Sequence, residues 1–223
     1  MAIKTVGVLG LGVFGSTIAK RLGENDFDVI AVDLNMGAIE RIEPYVTQAV
    51  QGDMGDLDLL RSIGFENCDV AVIAAGSNLE SSVLAVMNCR KLNVPNIISK
   101  AKNKIFKEIL LEMGATEVIR PEKEMGDKIG RNLMRHHIRD VFDLDDQFAV
   151  IEFLPPKRWI GKTLQDLDLR REYEINIVGM REELNGKMIV NVSPDMVIHP
   201  QNVLIAIGES DKFEHLDYTN QLD

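Results

Sequence analysis

The sequence predicts an α/β protein in which a Rossmann-like, doubly wound parallel sheet is followed by a small α+β domain. Three observations carry that expectation. Short Val/Ile/Ala-rich runs alternate with stretches of helical apolar spacing as far as about residue 137, as repeated βαβ units require. Three glycines stand where the first run passes into the first helical stretch. Beyond an acidic segment the pattern then turns strand-rich.

The expected strands, in order, are "TVGVLG", "DVIAVD", "TQAVQG", "DVAVIAAG", "NIISKA" and "TEVIRP". Each is nearly all apolar because parallel strands are covered on both faces. Between the fourth and fifth, Ser77 and Glu80 have capping-box spacing and predict a helix start. In "NKIFKEILLEMGA", Ile105, Ile109 and Leu110 share a face, and Gly114 supplies the left-handed residue that ends such a helix. "IRDVFDLDDQ" is acidic and lacks helical periodicity, so 138–146 reads as a linker between a domain at 1–137 and another at 147–223. The second domain holds "FAVIEFLPP", "EINIVGMREELNGKMIV" and "QNVLIAIGES" as strands, turns at Pro155-Pro156, Asn185-Gly186 and Ser193-Pro194, and a short helix at "KTLQDLDL".

Composition narrows the function. With 223 residues, 45% hydrophobic and 27% charged, the chain can bury cores in two units. A net charge of -10 without a concentrated Lys/Arg stripe argues against nucleic acid as a partner. Cys68 and Cys89 are too far apart for a CxxC motif and read as reduced, buried thiols. No leader pattern and no run near the roughly 18 apolar residues of a membrane span is present, which predicts a cytoplasmic protein without direct membrane insertion.

The glycines form GxGxxG. Gly10 permits the tight turn, Gly12 lets the backbone approach a pyrophosphate, and Gly15 lets helix and strand lie close. Asp33 ends the second strand 18 residues after Gly15, the place for a carboxylate that receives both ribose hydroxyls. Leu34 and Asn35 follow, with no arginine for a 2′-phosphate, so NAD(H) or an adenine nucleotide fits better than NADP(H). "GDMGD" and "AAGSN" follow the third and fourth strands, where ligands of open α/β sheets bind, although Asp and Ser also suit plain capping loops. His136 and His137 diverge on a helix and cannot chelate as a pair; His199 precedes Pro200 in a turn. Neither GxSxG nor HExxH occurs, and no acid/base pair for a dehydrogenase stands out.

A nucleotide half without a catalytic half suggests a nucleotide that serves as a signal. "GVLGLGVFGSTIAKRL", "VIAVDLN", "QGDMGD", "VIAAGSNLESSVL", "SKAKN", "GATEVIRPEKEMGDKI" and "LDLRREYEINIVGM" resemble, in that order, the regulatory subunits of bacterial Ktr/Trk potassium uptake systems. The resemblance implies an N-terminal RCK domain and a C-terminal RCK_C domain, with no enzymatic activity. It implies a homodimer that assembles into a homo-octameric ring beneath a membrane potassium translocator of the KtrB/TrkH type, peripheral to the inner face of the cell membrane. It further implies ATP, ADP or NAD(H) as ligands, with Gly10, Gly12 and Gly15 holding the phosphates, Asp33 the ribose, and Val13, Phe14 and Leu34 also in the binding site. Asp53 and Met54 would face the adenine, and Ala75, Gly76 and Asn78 the phosphate and second ribose. Lys100 would reach toward the phosphates, and Glu122 toward a divalent cation such as Mg2+. Relatives often carry Arg where Val13 stands, so a bidentate phosphate contact is missing here and nucleotide preference stays open. Arg170, Asn176, Ile177 and Pro194 match the cyclic di-AMP site of Gram-positive members. Two other classes remain: a small NAD-dependent oxidoreductase, and a redox-sensing transcription regulator, for which no basic helix-turn-helix unit is in sight.

Overall fold

A computed structural model describes residues 4–75, 78–134, 138–145, 147–183, 186–210 and 212–213. Its contacts divide the chain into Met1–Glu124 and Met125–Asp223.

The first unit is built on β1 (Thr5–Leu9), β2 (Asp28–Asp33), β3 (Gln48–Gln51), β4 (Val70–Ile73), β5 (Asn96–Lys100) and β6 (Glu117–Ile119). All pair in parallel, in the order β3-β2-β1-β4-β5-β6. The order reverses beside β1, and that switch point leaves a crevice at the strand carboxyl ends. Helices cover both faces. α1 (Val13–Gly23) and α2 (Met36–Ile42) lie over Val6, Val8, Val29, Ala31, Val70 and Val72. α3 (Leu57–Ser62), α4 (Leu79–Lys91) and α5 (Lys104–Met113) lie over Leu9, Ile30, Val32, Ala71, Ile73 and Ile97. Alternate residues of each strand feed opposite cores, which explains why the strands read as unbroken apolar runs. Gly7 is small because the Phe65 ring occupies the place of its missing Cβ.

Two local expectations are corrected. The N-cap of α4 is Asn78, whose side chain accepts from Ser81 N at 3.2 Å; Ser77 lies outside the described residues. On α5 the buried face is Phe106, Leu110 and Met113, and Ile105 is 65% exposed. Asn103 caps α5 through Phe106 N, and Ile105 lies about 140° round the helix from Leu110, so burying Leu110 leaves Ile105 outward. Gly114 ends α5 at φ 113°, as expected.

α6 (Pro121–Met134) starts in the first unit and runs on into the second. The second unit has β7 (Ile138–Asp143), β8 (Phe148–Phe153), β9 (Asn176–Arg181), β10 (Met188–Ile189) and β11 (Val203–Glu209) in antiparallel order β10-β9-β11-β8-β7. Ile138–Asp143, expected as linker, is thus a paired strand. A register shift between Ile138 and Asp140 turns Ile138 and Val141 to the same core, three residues apart, and so hides the period of two. The short α7 (Leu164–Leu167) has a capping box between Thr163 and Asp166 and is followed by α8 (Leu169–Glu172). The core centres on Phe153, packed edge-on against Trp159 at 6.0 Å and Phe213 at 5.9 Å.

Candidate functional site

The turn after β1 is built as the glycines require. Gly10 has φ 93° and its N–H donates to Val32 O at 2.8 Å, which locks the turn to β2. At Gly15 a Cβ would lie 1.9 Å from Gly10 O, so α1 can approach the loop only with glycine there. A Cβ on Gly12 would meet nothing within 4 Å: this residue borders open space. Gly12 caps α1 without a side-chain hydrogen bond, and the first turn holds no acidic residue. The unmet N–H groups and the positive helix end therefore suit an anion.

Asp33 Oδ2 accepts from Leu11 N at 2.5 Å, and Oδ1 from Asn35 N at 2.7 Å. The carboxylate ties the glycine loop to the end of β2, and a carboxylate has about four acceptor positions, so lone pairs remain for hydroxyl donors. Gly10, Asp33, Leu34, Asp53, Met54, Ala75 and Asn78 line one open cleft of about 230 Å³. Seven expected residues thus come together. Gly12 and Val13 border a different depression, on the α1/α2 side of the loop. Phe14 packs partly into the core beneath α1. Gly76, like His136 and His137, lies outside the described residues.

Three residues that pattern reading missed shape the cleft. Ser81 lines it. Buried Ser82 donates to Ala75 O at 2.6 Å and Asn78 O at 2.8 Å, holding the loop after β4. Buried Asn88 donates to Gly55 O at 2.8 Å and holds the loop after β3, where Asp53 accepts from Gly55 N. One helix, α4, positions both loops. The available signal was polar residues inside a helix that otherwise packs on the sheet.

Lys100, at the end of β5, donates to the Glu122 carboxylate in the first turn of α6, with its ammonium 5.9 Å from the Phe14 ring centre. That hydrogen bond holds the Glu122 carboxyl below the ordinary carboxylate range. Among the described residues no three His, Cys, Asp or Glu gather to hold a metal ion. The expected cation ligand is engaged by lysine, so among the described residues the side chains of one copy do not by themselves form a divalent-cation site.

In the second unit Arg170, Asn176, Ile177 and Pro194 line one depression of about 570 Å³. Arg170 donates to Asn176 Oδ1 at 2.6 Å. Gln165 N donates to Pro194 O at 2.8 Å, so α7 holds the 193–196 segment that forms one wall. A guanidinium, an amide and an apolar wall suit a phosphate-bearing base.

Fold and cleft define a nucleotide-binding Rossmann protein with a small antiparallel second domain. The TrkA-N domain family matches residues 6–121 and the TrkA-C domain family residues 148–217. The chain belongs to this TrkA-N/TrkA-C family. It is 34% identical to Ktr system potassium uptake protein C of Bacillus subtilis (strain 168), over 92% of each chain. It is 31% identical to Ktr system potassium uptake protein A of the same organism, over 92% of this chain and 91% of that one. The fold resembles the GsuK channel bound to NAD, with TM-score 0.65 and 17% identity, covering 97% of this chain and 39% of the channel's. Among the described residues no helix is long and apolar enough to cross a membrane.

Proposed function

We propose that the chain is the cytoplasmic gating subunit of a bacterial potassium uptake system, reading an adenine nucleotide in its first domain and cyclic di-AMP in its second. The observation that carries this reading is the pair of separate depressions, one lined by Asp33 and six other residues expected for the nucleotide, the other by Arg170, Asn176, Ile177 and Pro194. Relatedness to Ktr potassium uptake proteins over 92% of the chain supports the transport role, and a membrane translocator is then the partner. In the first cleft the adenosine would lie between Asp33 and Met54, with the phosphates at the α1 N-terminus near Lys100. ATP, ADP and NAD(H) share that adenosine end, and NAD in GsuK supports the dinucleotide as one candidate. Any cation at Glu122 would need the phosphates to complete its ligand set.

The subunit catalyses nothing in this reading. Each ligand shifts a conformational equilibrium by as much as its affinity differs between the two states. Exposed apolar residues on two sets of helices support the assembly into dimers and then an octameric ring: Met125, Ile129 and Leu133 along α6, and Leu84, Met87, Ile105 and Leu111 on α4 and α5. Two distinct interfaces are what a ring of dimers needs.

The test is thermal-shift titration of the purified chain, since a ligand bound only to the folded form raises stability. Asp33→Ala should erase the shift with ATP, ADP or NADH and keep that with cyclic di-AMP, and Arg170→Ala should do the reverse. Loss of both shifts in either variant would contradict two separate sites, and turnover of NADH with carbonyl compounds would contradict a regulatory role.

A further inference from the structure

The Lys100–Glu122 ion pair has unequal members. The lysine side chain is 17% exposed and the glutamate 70%. Lys100 is fixed by β5 and its surroundings, its ammonium beside Phe14 in the first turn of α1, whereas Glu122 reaches in from the solvent side. An anion held at the end of α1 would meet this ammonium already in use. Val13 makes the matter sharper, because the loop itself supplies no guanidinium.

We propose that Glu122 sets the phosphate affinity of the cleft by competing for Lys100: the carboxylate occupies the ammonium in the empty site, and an incoming nucleotide phosphate takes it over. This rests on the nucleotide reading above. The exchange is physically easy. The displaced carboxylate stays in the first turn of α6, where the helix end favours negative charge, and most of it already faces water. The phosphate gains a charge-assisted hydrogen bond of the kind it replaces. Glu122 lies in the first turn of α6, so the exchange takes place at one end of a helix whose later residues belong to the second unit.

Calorimetric titration of the full chain with ADP and with adenosine, in EDTA at physiological salt, reads the competition. Glu122→Gln should tighten ADP roughly two- to fivefold, the range of a partly exposed ion pair, and leave adenosine unchanged. Lys100→Met should weaken ADP, and adding Glu122→Gln to Lys100→Met should restore nothing. A gain for ADP that is equally large without Lys100 would reduce Glu122 to simple charge repulsion and overturn the proposal, as would an equal gain for adenosine. If the unaltered chain binds neither compound, the nucleotide reading itself falls, a result distinct from normal ADP binding that ignores Glu122→Gln.

Discussion

At the scale of single residues, environment decides chemistry more than identity does. Cys68, before β4, and Cys89, on α4, sit in the same core, and burial pushes both thiols up to about 12, with the charges of Asp69 and Glu66 adding at Cys68. At pH 8 both therefore remain protonated and shielded. Iodoacetamide at that pH should leave them unmodified in the folded chain and alkylate both in 6 M urea, as mass spectrometry would read; modification of the native protein at free-thiol rates would contradict the placement. Asp33 shows the opposite case. Its place at the end of β2 was legible from the spacing to Gly15, but its bond to Leu11 N was not, because that contact joins two loops through the fold rather than through the chain. Ser82 and Asn88 escaped pattern reading for the same reason: a buried hydroxyl or amide declares its role only when the carbonyl it serves is in place.

Among elements, the parallel strands were the most legible because two covered faces leave only apolar residues to write. All six fall within the segments expected from sequence. β7 was hidden by its register shift, and the face of α5 was misjudged because Ile109 lies between Ile105 and Leu110 round the helix, so the apolar pattern alone does not say which flank is buried. The other end of α5 is stricter. Gly114 holds φ 113° while its N–H donates to Leu111 O at 3.0 Å, and a Cβ there would stand 2.8 Å from Arg90 Cδ. Gly114→Ala should lower stability by about 1–2 kcal/mol through the left-handed backbone alone, seen as an earlier urea midpoint of the first unit. An unchanged midpoint would mean that the α5 terminus has another conformation.

For the whole molecule, the exposed apolar surface bears on assembly. The exposed stripe of Met125, Ile129 and Leu133 repeats every four residues along one side of α6, and Leu133 is 82% exposed. If the proposed assembly uses this stripe, Leu133→Glu should break that contact, seen as a particle mass by light scattering at least halved from that of the unaltered protein. A mass unaffected by the substitution would send the dimer contact elsewhere. The placement of β11 also governs how this protein can be made. The last strand among the described residues lies in the middle of its sheet, between β9 and β8. During synthesis the first domain can close while the ribosome is still translating, but the second must wait, its neighbouring strands unjoined, until residues 203–209 have left the exit tunnel.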